Sequence, residues 1–111
     1  MRKDDRVRLL HMLDAAHEVT GFVQGRARAD LDSDRMLVLS LVKGIEIVGE
    51  AANQVSKATR EQLPEIPWAD IVGMRNRLVH AYFDVNLEIL WRTVQYDLPP
   101  LIAALERVLK E

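Results

Sequence analysis

The chain has 111 residues, 49% hydrophobic but only 5% aromatic, which suits one domain with an aliphatic core and leaves little room for a second. A net charge of −2 argues against nucleic-acid recognition by bulk charge, although eleven of the fifteen basic residues are arginine, the cation suited to bidentate phosphate contacts. The absence of cysteine excludes disulfides, thiolate metal sites and cysteine nucleophiles, and the richest apolar run, Met36 to Val42, is far too short to span a membrane.

Residues 1–111 are therefore expected to form a single cytoplasmic helical domain. Asp4 or Asp5 can start a first helix that runs to about Gln24, with Leu9, Leu13, Ala16, Thr20 and Val23 at helical spacing and Gly25 as its stop. Asp32 or Ser33 offers the N-cap of a long second helix to about Glu61. Its main apolar face is Val38, Leu41, Val42, Ile45, Val48, Gly49 and Ala52, and a second set, Met36, Leu39, Ile47 and Ala51, lies off that face. Apolar residues on two sides imply packing on two sides, and one of the neighbours can be another subunit. A polar stripe, Glu46, Glu50, Asn53 and Lys57, runs between them.

Leu63-Pro64-Glu65-Ile66-Pro67 breaks the chain, and Pro67 fits the first position of a third helix that reaches Tyr82. Trp68, Ile71, Val72, Leu78, Val79 and Tyr82 would share one face of it. Asn86 is a good N-cap for a last helix from Leu87. That helix keeps its apolar period through Val108 but must kink or divide around Asp97 to Pro100, because Pro99 and Pro100 have no N–H to donate. The sum is an all-α antiparallel bundle of four to five helices.

The chemistry is concentrated in Met74 to Phe83, which holds Arg75, Asn76, Arg77, His80 and Tyr82. On a continuous helix, at roughly 100° per residue, Arg75 and His80 lie about 140° apart. They meet if the helix loosens near His80, or if a two-fold axis brings Arg75 of one chain to His80 of another. Histidine can take and give a proton near neutral pH, and arginine can stabilise charge building on a phosphate. Together they suffice for RNA cleavage by the ribose 2′-hydroxyl without a metal or cofactor, and no metal-ligand spacing is present. Glu50 on the polar stripe is placed to support Arg75. Arg77 reads equally as a surface arginine or a phosphate contact. Arg, four residues and His is a weak pattern, however, since Arg6 to His11 repeats it. The plain alternative has Arg75 paired with Glu50 or Glu46, and His80 placed as a cation at a helix end.

Arg75-Asn76-Arg77-Leu78-Val79-His80-Ala81-Tyr82 resembles the signature of the HepT-like toxins of the HEPN superfamily. So do Ile47-Val48-Gly49-Glu50-Ala51-Ala52, Ile66 to Met74, and Asp84 to Pro99 with Trp91 and Asp97-Leu98-Pro99. The resemblance implies a HEPN-like homodimer acting as the toxin of a type VII-like toxin–antitoxin system. That toxin would be a metal-independent endoribonuclease, cutting its RNA substrate at the dimer interface with Arg75, Asn76 and His80 as catalytic residues. It also implies an MntA-like minimal nucleotidyltransferase antitoxin that transfers AMP onto Tyr82. A non-catalytic nucleotide- or partner-binding subunit of such a nucleotidyltransferase complex is the alternative.

Overall fold

The computed structural model describes residues 1–81 and 84–110, with side chains described for all of these except His80 and Ala81. Helix α1 (Lys3–Phe22) packs along α3 (Arg35–Asn53), and the C-terminal helix α8 (Leu98–Leu109) packs against α1. Between them, in order, come α2 (Asp30–Ser33), α4 (Lys57–Gln62), α5 (Trp68–Val72) and α6 (Met74–Leu78). A short antiparallel pair follows, β1 (Val79–Ala81) and β2 (Asp84–Val85), and then α7 (Leu87–Arg92) and a π-helical turn, Thr93–Asp97, that runs into α8. The expected all-α bundle is what forms. No described helix is long and apolar enough to cross a membrane.

The aliphatic composition is sufficient because burial is thorough. Leu9, Met12, Leu41, Ile45, Ile66, Ile71, Leu78, Leu90, Leu98 and Leu105 are fully enclosed, and they join in one core. Each such side chain contributes on the order of 1.5–3 kcal/mol by leaving water. The apolar face expected of α3 is buried except at Val42, which is half-buried. Of the second set, Ala51 is buried and Ile47 half-buried against the chain's own core, whereas Met36 and Leu39 remain exposed. Gly44 lets α1 and α3 approach closely, since a Cβ there would overlap Cγ2 of Val19.

Several boundaries differ from those the periodicity suggests. The N-cap of α3 is Asp34, whose carboxylate accepts from the Leu37 N–H at 3.0 Å, and residues 30–33 form their own short turn. Asp34 is also ion-paired with Arg26, and both contacts hold its carboxyl below the ordinary aspartate range. Helix α1 ends at Phe22, short of the expected end near Gln24, and Gly25 follows in the turn beyond it with a φ of 72°, the left-handed conformation that glycine adopts without strain.

The long second helix is in fact two. It ends at Asn53, and Ser56 caps α4 by accepting from the Thr59 N–H. The cause lies far away in sequence. The Asp5 carboxylate accepts from the Ser56 N–H at 2.9 Å, from Ser56 Oγ at 2.6 Å and from Thr59 Oγ1 at 2.6 Å. The Ser56 N–H, so engaged, cannot also serve a continuing helix. Arg60 secures the break from the other side, donating to the carbonyls of Ala52, Asn53 and Val55.

The third helix is also divided, at Gly73, and it stops at Leu78 rather than Tyr82. Val79 takes extended backbone, φ −122° and ψ 110°, as a β-branched residue readily does. The carbonyl of Leu78 is instead satisfied by the Asn86 N–H at 2.7 Å. Asn86 then caps α7 as expected, accepting from the Ile89 N–H at 3.0 Å. At the double proline the chain does not stop. The Leu98 N–H reaches back to the Thr93 carbonyl, five residues away, and this widened turn delivers Pro99 and Pro100 into the first turn of α8, where no N–H is required.

Candidate active site

The site starts from a glycine. Gly49 sits in the middle of α3, and a Cβ there would lie 3.2 Å from the Ile71 carbonyl oxygen and 3.5 Å from that of Val72. Its absence allows the backbone of α5 to lie directly on α3. The approach brings α6 beside the polar stripe of α3. Between them lies a groove of about 280 Å³ lined by Glu46, Gly49, Glu50, Asn53, Val72, Arg75 and Asn76.

Arg75 projects from α6 into this groove. Its Nε stands 3.5 Å from Oε2 of Glu46, whose Oε1 is 3.2 Å from Nζ of Lys43. The Arg75 Nε is buried and has no hydrogen-bond partner among the described residues. The pair is attractive, but its geometry is too long for a hydrogen bond. The Arg75 side chain retains 38% of its exposure, so part of the group still faces the open groove. Its contact with Glu46 is worth little as stability at that exposure.

The structure gathers some of the sequence-predicted residues and separates others. Arg75, Asn76 and Glu50 line one groove, with Asn76 and Glu50 exposed. Glu50 makes no ion pair among the described residues, so the carboxylate beside Arg75 is Glu46. Four-residue spacing along the stripe put either glutamate within reach, and the sequence alone did not choose between them. Arg77 leaves from the other side of α6. Its Nη2 donates to the Asp70 carbonyl at 3.1 Å, and its Nη1 lies 3.6 Å from the Asp70 carboxylate.

The backbone of His80 belongs to β1, beyond the end of α6. The 140° divergence expected on one continuous helix therefore does not apply, and the loosening near His80 is realised as a change from helix to extended chain. Tyr82 lies outside the described residues. Among those described, no three His, Asp or Glu side chains converge as a metal-ligand set.

The groove thus sets an arginine guanidinium beside Asn76, with the His80 backbone five positions further on in β1. Residues 12–108 match the profile described as ribonuclease HepT-like. The chain belongs to the HepT-like family. Among its relatives, a protein of Caldanaerobacter subterraneus subsp. tengcongensis named as a candidate RNase is 34% identical over 98% of this chain and 97% of its own. A Methanocaldococcus jannaschii protein, also named as a candidate RNase, is 30% identical over 96% of this chain and 98% of its own. One from Thermococcus cleftensis, named as a probable ribonuclease HepT, is 30% identical over 99% of this chain and all of its own. No solved structure matches the chain at a significant level. This HepT-like chain thus spans nearly the full length of these relatives.

Proposed function

We propose that this protein is a toxin-type endoribonuclease that cleaves RNA by attack of a ribose 2′-hydroxyl on the adjacent phosphodiester. The observation that carries the reading is the groove between α3 and α6, where Arg75 lies beside Glu46 yet keeps a buried Nε without a hydrogen-bond partner among the described residues. In this reading a homodimer brings two copies of the arginine helix together. His80 accepts the 2′-hydroxyl proton, the second copy of His80 protonates the departing 5′-oxygen, and Arg75 with Asn76 stabilises charge on the phosphorane. No metal takes part. Family membership and the names of the relatives support the RNase class.

The partner in this reading is a minimal nucleotidyltransferase, which silences the toxin by transferring AMP to Tyr82. A phosphate group two residues from His80 would occupy the space and the charge that substrate RNA needs.

The test is cleavage of single-stranded RNA by purified wild type, Arg75→Ala and His80→Ala, each with and without EDTA. Cleavage by wild type that survives EDTA, and that falls at least about a hundredfold in His80→Ala, is expected, in line with the contribution of a general acid–base group. A His80→Ala protein that cuts at the wild-type rate would overturn the assignment. For the partner, ATP and magnesium with the nucleotidyltransferase should add AMP mass to wild type and none to Tyr82→Phe. The Arg75–Glu46 pair favours one other reading, a helical partner-binding subunit in which the groove only fixes register. That reading is favoured instead if no RNA is cut and the nucleotidyltransferase binds tightly.

A further inference from the structure

On the opposite side of α6 from the Arg75 groove lies a second hollow, of about 280 Å³, lined by Arg77, Ile89, Arg92, Thr93, Tyr96 and Asp97. A neighbouring cavity of about 330 Å³ shares Arg77, Tyr96 and Asp97 as its rim. Tyr96 is 72% exposed, the most exposed aromatic side chain described, and it is carried on the π-helical turn. Turns of this kind occur often at functional sites. Arg92 makes no ion pair among the described residues, whereas Arg77 is held in place by Asp70.

We infer that the hollow around Tyr96 and Arg92 is a nucleotide subsite for single-stranded RNA, taking one base on the Tyr96 ring and its phosphate on Arg92. The inference rests on the ribonuclease reading of the Arg75 groove and adds a second point of substrate contact. An exposed aromatic ring beside unneutralised arginine is the combination by which proteins hold single strands without reading sequence. Ile89 supplies an apolar wall under the base. Asp70 offsets Arg77 and Asp97 lines the hollow too, so Arg92, without an ion pair among the described residues, is the cation left to meet a phosphodiester.

The path between the two sites is short. Arg75 and Arg77 leave α6 on opposite sides, about 200° apart at roughly 100° per residue, with exposed Asn76 between them. A strand crossing α6 over Asn76 enters the Arg75 groove on one side and meets Tyr96 on the other.

The experiment uses the full chain. Binding of a short fluorescein-labelled single-stranded oligoribonucleotide is followed by anisotropy in a His80→Ala background, with Tyr96→Ala, Tyr96→Phe and Arg92→Gln added singly. Tyr96→Ala should weaken binding by roughly tenfold, the size of one lost base–aromatic stack. Tyr96→Phe should stay within about threefold, because stacking survives. Arg92→Gln should weaken binding and lower the salt slope by about 0.7, as one single-strand phosphate contact would.

Equal binding by the Tyr96→Ala and parent proteins overturns the subsite, as does a loss of binding that tracks a change in oligomeric state by light scattering. In the second case Tyr96 belongs to a protein interface. Protein with native His80 that neither binds nor cleaves RNA overturns both the subsite and the ribonuclease reading. RNA cleavage by that protein, unchanged by Tyr96→Ala with RNA below saturation, overturns the subsite alone.

Discussion

Asp5 gives the most quantitative expectation. Its side chain is buried near the start of α1, yet it is satisfied entirely by α4 and the residue before it, with three donors at 2.9, 2.6 and 2.6 Å. Those hydrogen bonds, with Ser56 and Thr59 hydroxyls leading, lower its pKa from 3.8 to about 2. A carboxyl with a depressed folded-state pKa contributes stability that is complete above the unfolded value and is lost as pH falls through the folded one. At 1.36 kcal/mol per unit, the shift is worth roughly 2 kcal/mol, present in full above about pH 4 and mostly gone below pH 2. Asp5→Asn keeps the shape and removes the charge. Urea unfolding of wild type and Asp5→Asn across this range isolates Asp5, because every other carboxylate is common to both. The stability gap should be about 2 kcal/mol at neutral pH and should close as pH falls from about 4 to 2. A gap that stays constant across that window would mean that the loss comes from packing, and the linkage argument would fail.

Other outcomes follow from single contacts. Gly44→Ala sets a helix-propensity gain of about 1 kcal/mol against overpacking of about 1–3 kcal/mol where the new Cβ meets Val19. A net loss in thermal or urea stability is expected, and the Val19→Ala background should reverse its sign. Glu46→Gln should change stability by less than about 1 kcal/mol, since both partners are about one-third exposed. If Glu46 aims Arg75 in the proposed reaction, the same variant should lower kcat roughly tenfold at nearly constant KM. An unchanged kcat would leave Glu46 as a surface partner only.

Much of this fold was legible where local chemistry decides it. The Asn86 cap and the apolar face of α3 need only neighbouring residues, and both lie as expected, while Gly25 turns the chain just past the end of α1. The break after Asn53 was not legible, because residues 54–56 contain neither glycine nor proline and the cause is a carboxylate on another helix. The end of α6 at Leu78 was hidden for a different reason. Leu78, Val79 and Tyr82 satisfy a helical period, and a short apolar run cannot separate helix from strand. The double proline announced an interruption but not its form, since a π-helical turn and a clean break remove the same two N–H groups. At the site, sequence spacing brought Arg75 within reach of two glutamates. Only the three-dimensional approach of α6 to α3 selects Glu46.

That approach also bears on whether the groove is a seam or a site. Two glycines interrupt the interior of α3, each at a cost of about 0.5–1 kcal/mol relative to alanine. Gly44 is explained by packing alone, because it makes room for the fully buried Val19. Gly49 makes room for backbone carbonyls, and what it gains is a polar groove rather than a dense core. Beside it stand two five-residue helices and a buried arginine Nε without a hydrogen-bond partner among the described residues. A sequence selected only for stability would not collect these departures in one place, whereas functional sites characteristically do. The end of α6 at Leu78 removes the wheel-based reason for requiring a second subunit, because His80 is no longer fixed on the far side of the arginine helix. The proposed dimer then draws its support from family membership alone, and the proposed role of the groove from the groove's own geometry.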